Sequence, residues 1–120
     1  MKKISVNIKI DYTGHDKYLF YIYDVEEITR AHQSIFFKFP CAKWFGTKEA
    51  KTQSVVMMFA IMTATKNAIS SGYNKITFND LKYIGYSNWF SGKWKTNNEY
   101  TAKYAEFMHK ATQYIEIGFV

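Results

Sequence analysis

Ile4, Val6, Ile8 and Ile10 alternate with Ser5, Asn7, Lys9 and Asp11 over residues 4 to 12. A hydrophobic period of two is the pattern of a strand with one buried face and one wet face. Thr13-Gly14-His15-Asp16 has turn chemistry, and Lys17 to Val25, rich in Tyr, Phe and Ile, reads as a second strand. Arg30 to Phe39 reads as a third, broken by Pro40, which has no N–H for a ladder. Three strands in succession with short connections make an antiparallel meander.

The period changes after residue 47. Thr47 to Ser71 has helical spacing, with Val55, Phe59 (or Met58), Met62, Ala68 and Ile69 on one stripe, and Gly72 falls where a helix C-terminal cap is wanted. Lys75 to Asp80 reads as a short strand and Leu81 to Trp89 as a short helix or turn. A helix over about Glu99 to Tyr114 and a strand from Ile115 to Val120 complete the order βββαβααβ. A helix between the meander and the fourth strand makes a crossover, which gives parallel neighbours and a mixed five-stranded sheet of the α/β (α+β) class. With 120 residues, no internal repeat and no linker, the chain reads as one domain over 1–120, large enough for a core without disulfide or metal staples.

Ten Tyr, ten Phe and three Trp are more rings than one small core requires, so some belong at the surface. Sixteen Lys+Arg against ten Asp+Glu give a net charge of +6, which favours an anionic partner. Arg30 is the only arginine. Base-specific reading of duplex DNA leans on Arg forks, so the balance points to sequence-independent backbone contact. Cys41 is the single cysteine, which excludes an intrachain disulfide and fits a reducing, cytoplasmic setting. Residues 4 to 9 alternate where an export signal would be apolar, and the longest apolar run, Val55 to Met62, is too short to span a bilayer. The expectation is a soluble protein.

The segment Trp89-Phe90-Ser91-Gly92-Lys93-Trp94-Lys95-Thr96-Asn97-Asn98 interleaves tryptophan with lysine on a short connector. Lysines meet phosphates and flat rings meet sugars or bases, so Trp89, Lys93, Trp94 and Lys95 are the candidate nucleic-acid-binding residues. Either ring also fits between the connector and the sheet, and Lys93 and Lys95, alternating with Trp94, point outward if Trp94 points in.

This segment, followed by a helix and a strand, resembles the ribonuclease H family, whose bacterial members have a similar W-x-x-G-x-W-K-x-N run. The likeness is strongest from Gly72 to Val120. It implies a ribonuclease H-like fold, a basic patch facing the DNA strand of an RNA–DNA hybrid, and carboxylates holding two Mg²⁺ for cleavage of the RNA strand. In the family a first Asp sits on the first strand, a Glu on the first helix and a second Asp at the end of the fourth strand. Asp11 matches the first and Asp80 the second, and these two are the candidate catalytic and Mg²⁺-binding residues. The helix glutamate falls on Met57 or a neighbour, and no acid occurs between Lys51 and Asp80. Glu49, eight residues earlier, would stand roughly 12 Å away along a helix. The chain also ends at the last strand, before the family's His-containing loop and fourth acid. Asp11 equally fits a solvated strand position, and Asp80 after Asn79 fits a helix cap. Two carboxylates would hold one Mg²⁺ weakly through water, and no cofactor is required for binding.

His15, His32 and His109 are scattered without metal-ligand spacing, no phosphate-loop glycine pattern occurs, and no G-x-S-x-G elbow occurs. The expectation is therefore a degenerate, C-terminally shortened ribonuclease H-like domain that binds nucleic acid without efficient cleavage. The alternatives are a small active Mg²⁺-dependent ribonuclease H, with Glu49, Asp16 or Asp24 in the vacant acid position, and a protein-interaction module such as a phage or mobile-element inhibitor. In the last case the surplus surface rings form the partner interface.

Overall fold

The structure, a computed structural model, describes the backbone of residues 2–15, 18–28, 33–40, 53–79, 85–96 and 99–120, and the side chains of 2–8, 57–79, 85–96 and 99–120. The element order is β1 (Lys3–His15), β2 (Tyr18–Ile28), β3 (Gln33–Pro40), α1 (Gln53–Ser70), β4 (Lys75–Phe78), α2 (Gly85–Ser91), α3 (Glu99–Ala111) and β5 (Glu116–Phe119). The strands are hydrogen-bonded in the order β3-β2-β1-β4-β5. β1, β2 and β3 pair antiparallel, whereas β4 lies parallel to both β1 and β5, so the sheet is mixed.

β1 is the hinge of this arrangement because it serves two neighbours of unequal length. Residues Val6 to His15 pair with β2, from Val6↔Glu27 to His15↔Tyr18, but only Lys3 to Val6 pair with β4. The ladder therefore extends through Thr13, Gly14 and His15, where the sequence suggests a turn, leaving only residues 16 and 17 between the strands. β3 ends at Pro40, where the sequence suggests a break, with Pro40 itself still paired with Ile22. β3 is an edge strand, and an edge position is where the missing proline N–H costs no ladder bond.

The core forms between the sheet and the helices. Ile4 and Val6 of β1 and Ile76 and Phe78 of β4 are buried, alternating with less buried polar residues as a half-covered sheet requires. Over them lies α1 with Met58, Ala60, Ile61, Ala64, Thr65 and Ala68 buried, and α3 adds Tyr104 and Met108. The stripe expected for α1 is met in part: Met58 and Ala68 are buried, whereas Phe59, Met62 and Ile69 are only partly buried, and Ala60 and Ala64 join Ala68 on the face that comes close to its neighbours. Residues 47–52 and the side chain of Val55 lie outside the described residues. Thr65 Oγ1 donates to the Ile61 carbonyl at 2.8 Å, which satisfies a buried hydroxyl within the helix.

α1 ends as its sequence suggests. Gly72 has φ +82°, the left-handed conformation of a helix terminus, and Gly72 and Tyr73 donate to the carbonyls of Ile69 and Ala68. α3 carries Glu99 in its first turn and His109 and Lys110 in its last, each favourable with the helix dipole. No described helix is long and apolar enough to cross a membrane.

Phe78 is fully buried and stacks on Phe119 with ring centroids 5.4 Å apart. Phe78→Ala should cost about 3–5 kcal/mol in denaturant unfolding, against less than ~1 kcal/mol for Thr77→Ala on the same strand. Equal losses would mean that the core does not lie on this face of β4.

Candidate nucleic-acid interface

The lysine–tryptophan segment begins at a helix end. Gly92 follows α2 with φ +84°, a conformation that a side chain would strain, and the chain turns there into Lys93-Trp94-Lys95. The Trp94 backbone N–H donates to the Asn88 carbonyl at 3.2 Å, folding the segment back along α2. Lys93 and Lys95 are exposed, and Trp94 is 38% exposed, so all three form one surface.

Trp94 is held from behind by other rings. It meets Trp89 edge-on at 5.8 Å between centroids, Trp89 meets Tyr86 at 6.1 Å, and Tyr86 meets Tyr104 at 6.5 Å. Edge-to-face contacts of this kind add about 0.5–1.5 kcal/mol each beyond area burial. Tyr104 is fully buried and its hydroxyl donates to the Tyr86 carbonyl at 2.9 Å, tying α3 to the start of α2. At the other end of α2, His109 Nε2 donates to the Phe90 carbonyl and the Phe90 ring lies against His109. A line of rings thus runs from solvent to the centre of the core. Trp89, partly buried within it, is a brace more than a contact surface.

Burial raises the Tyr104 hydroxyl well above the ordinary phenol range, with the neighbouring Tyr86 adding to the effect.

Of the carboxylate candidates, the described backbone places Asp11 and Asp24. Asp11 lies on β1 opposite Ile22, five residues beyond Val6, the last β1 residue paired with β4. That is roughly 16 Å along a strand at ~3.3 Å per residue. The side chain of Asp11 and all of Asp80, Asp16 and Glu49 lie outside the described residues. Asp24 is placed on β2 in one rung with Lys9 and Lys38. At the C-terminal ends of the parallel pair β1/β4, where ligands of α/β sheets commonly sit, the described residues are Asn7 and Asn79. The Asn79 N–H donates to the Val6 carbonyl at 3.0 Å and so continues β4 alongside Asn7. Asn7 Oδ1 is buried and has no hydrogen-bond partner among the described residues. Met57, on α1, is partly buried and packs against the core. Among the described residues no group of three His, Cys, Asp or Glu side chains comes together.

No family model matches this sequence, and no curated protein matches it. Solved structures are similar to it, among them two with the following matches. Ribonuclease H1 from the halophilic archaeon Halobacterium salinarum NRC-1 superposes with a TM-score of 0.67 at 12% identity, over 98% of this chain and 83% of that one. The fold is ribonuclease H-like. The N-terminal RNase H domain of Rv2228c from Mycobacterium tuberculosis, solved as a fusion with maltose binding protein, gives a TM-score of 0.59 at 16% identity, over 98% of this chain and 82% of that one. In chain order α2 and the Lys93-Trp94-Lys95 segment lie between β4 and α3. The ring line behind Trp94 was not foreseen from sequence, although Tyr86 and Trp89 have the i,i+3 spacing of one helix face.

Tyr104→Phe should lose ~1 kcal/mol at neutral pH through the missing hydroxyl bond. The unfolded chain releases the Tyr104 proton near pH 10 while the folded chain keeps it, so this residue destabilises the fold as pH rises above about 10. Thermal melting followed from pH 8 to 11 should therefore fall less steeply in Tyr104→Phe than in the wild type. Parallel pH profiles would mean that Tyr104 ionises freely in the fold.

Proposed function

We propose that this chain is a ribonuclease H-like domain on a five-stranded mixed sheet that holds nucleic acid by its backbone and does not cut it efficiently. The observation that carries the reading is the Lys93-Trp94-Lys95 surface, held out by Gly92 and braced through Trp89 and Tyr86 to buried Tyr104. Two ammonium groups beside one exposed ring suit phosphates and a sugar or base face, and a net charge of +6 supplies the long-range attraction. The solved relatives are described as an RNase H1 and an RNase H domain, which supports an RNA–DNA hybrid as the ligand to try first.

Weak catalysis follows from the acid count. Asp11 and Asp80 are the proposed acid pair, with no acid on α1 between them in sequence and neutral Asn7 and Asn79 at the strand ends. A Mg²⁺ held by so few carboxylates would activate water poorly. A cytoplasmic setting, suggested by the single Cys41, belongs to the same proposal.

Binding and cleavage of an RNA–DNA hybrid, duplex DNA and single strands, with and without Mg²⁺, test the reading. Hybrid binding without cleavage is expected. Lys93→Ala and Lys95→Ala should each weaken binding across all sequences and make the salt slope shallower by about one unit, and Trp94→Ala should lose ~1–3 kcal/mol of binding with folding retained. Robust Mg²⁺-dependent turnover abolished by Asp11→Asn would establish an active nuclease instead. Absence of any nucleic-acid binding at physiological salt would end the proposal.

A further inference from the structure

β5 is the last strand of the sheet, and among the described residues nothing pairs with its outer edge. The ladder on its inner side uses alternate residues: the Glu116 N–H donates to the Asn74 carbonyl and the Val120 N–H to the Phe78 carbonyl. In a parallel ladder the residues between them, Ile117 and Phe119, then direct their N–H and C=O groups outward. Such an edge is a template for a further strand. Two large apolar side chains flank it: Tyr114, 69% exposed, immediately before β5, and Val120, 81% exposed, immediately after. An open groove of about 430 Å³ runs beside the same edge, lined by Phe90, Tyr114, Ile115 and Ile117 among others.

These features are self-complementary in one register. Suppose that β5 pairs antiparallel with β5 of another copy about a two-fold axis through Ile117. The outward groups of Ile117 then bond those of Ile117 in the second copy, and the Phe119 N–H meets the Ile115 carbonyl, which needs no contribution from the Ile115 N–H already given to Ala111. The same register sets Tyr114 of each copy against Val120 of the other, so the two exposed apolar residues cover each other. Phe119 of one copy comes over the groove beside Ile115 of the next. Glu116 faces Gly118, which has no side chain to oppose it, and is already partnered by Lys75 at 3.8 Å. A register shifted by one residue would set outward-bonding residues against inward-bonding ones, and a shift by two would leave Tyr114 and Val120 unmatched.

We infer that the outer edge of β5 is a homodimer contact, with a second copy of this chain as its occupant. Four-residue strands with two flanking side chains make a small isologous contact, in the class of reversible interfaces below about 1,200 Å². The two-fold axis stands normal to the sheet, so both helix layers and both Lys93-Trp94-Lys95 surfaces face the same side. The dimer is a property of the protein alone and does not depend on whether nucleic acid binds.

Sedimentation equilibrium without nucleic acid, up to about 1 mM protein, should show a reversible monomer–dimer equilibrium. Tyr114→Lys and Val120→Glu, both at exposed positions, should each raise the dimer dissociation constant by about tenfold or more, and the double variant should return it to within about threefold of wild type by pairing the new charges across the axis. Circular dichroism of dilute samples checks that each monomer keeps its fold. Monomer alone at every concentration overturns the inference. So does a dimer indifferent to both single changes, or a double variant as weak as the singles.

Discussion

Everything else in this molecule hangs on the parallel pairing of β1 with β4 beneath α1. Those rungs place Ile4 and Val6 beside Ile76 and Phe78, so four buried side chains of two distant segments make one apolar floor. Parallel neighbours cannot be joined by a tight turn, which obliges the chain to cross over through α1 and bury that helix on the floor. α3 then packs on α1, and α2 is held by α3 through Tyr104 and His109. The Lys93-Trp94-Lys95 segment follows α2 at the end of this chain of contacts, which starts from a pairing of residues 72 positions apart in sequence.

Much of this was readable in the residues, because the alternation of Ile4 to Ile10 and the punctuation at Gly72 are local signals. The helix stripe was readable only in part, at Met58 and Ala68. α1 carries Lys66 as its only charge, so polar residues do not mark its outer face, and the buried face is chosen by where small Ala60, Ala64 and Ala68 allow close approach. Pro40 marks the end of β3 as its chemistry suggests, and that the proline itself still pairs follows from the edge position of β3, a property of the sheet. The extension of β1 through Thr13 to His15 follows from partnership with β2, which outweighs the local turn preference of Thr-Gly-His.

The candidate site divides along the same line. Lys93, Trp94 and Lys95 were recognisable by type and spacing, and the structure places them together on the surface. Trp89 meets Trp94 and Tyr86, because Tyr86 lies three residues earlier on the same helix and the chain after Gly92 folds back along it. The importance of Tyr86 and Tyr104 was invisible, since residues eighteen apart in sequence meet only through the packing of α2 on α3. Asn7 was likewise passed over: on an alternating strand it reads as one more outward polar residue, and only the fold reveals its buried oxygen, without a hydrogen-bond partner among the described residues, beside the end of β4.

The unequal lengths of β1 and β4 have a bearing on how the chain organises itself in time. The long β1–β2 ladder joins residues close in sequence, whereas β1 and β4 meet across about seventy residues. Closing a short loop costs little entropy and a hairpin can form in about 1–10 μs, while the distant rungs wait for α1 to bring β4 back. Part of β1 is therefore available as a preformed template before its other edge is claimed, and the search that limits folding is the return of β4 to Lys3–Val6. The residues that decide the rate are those on this late seam, between Lys3–Val6 and Lys75–Phe78.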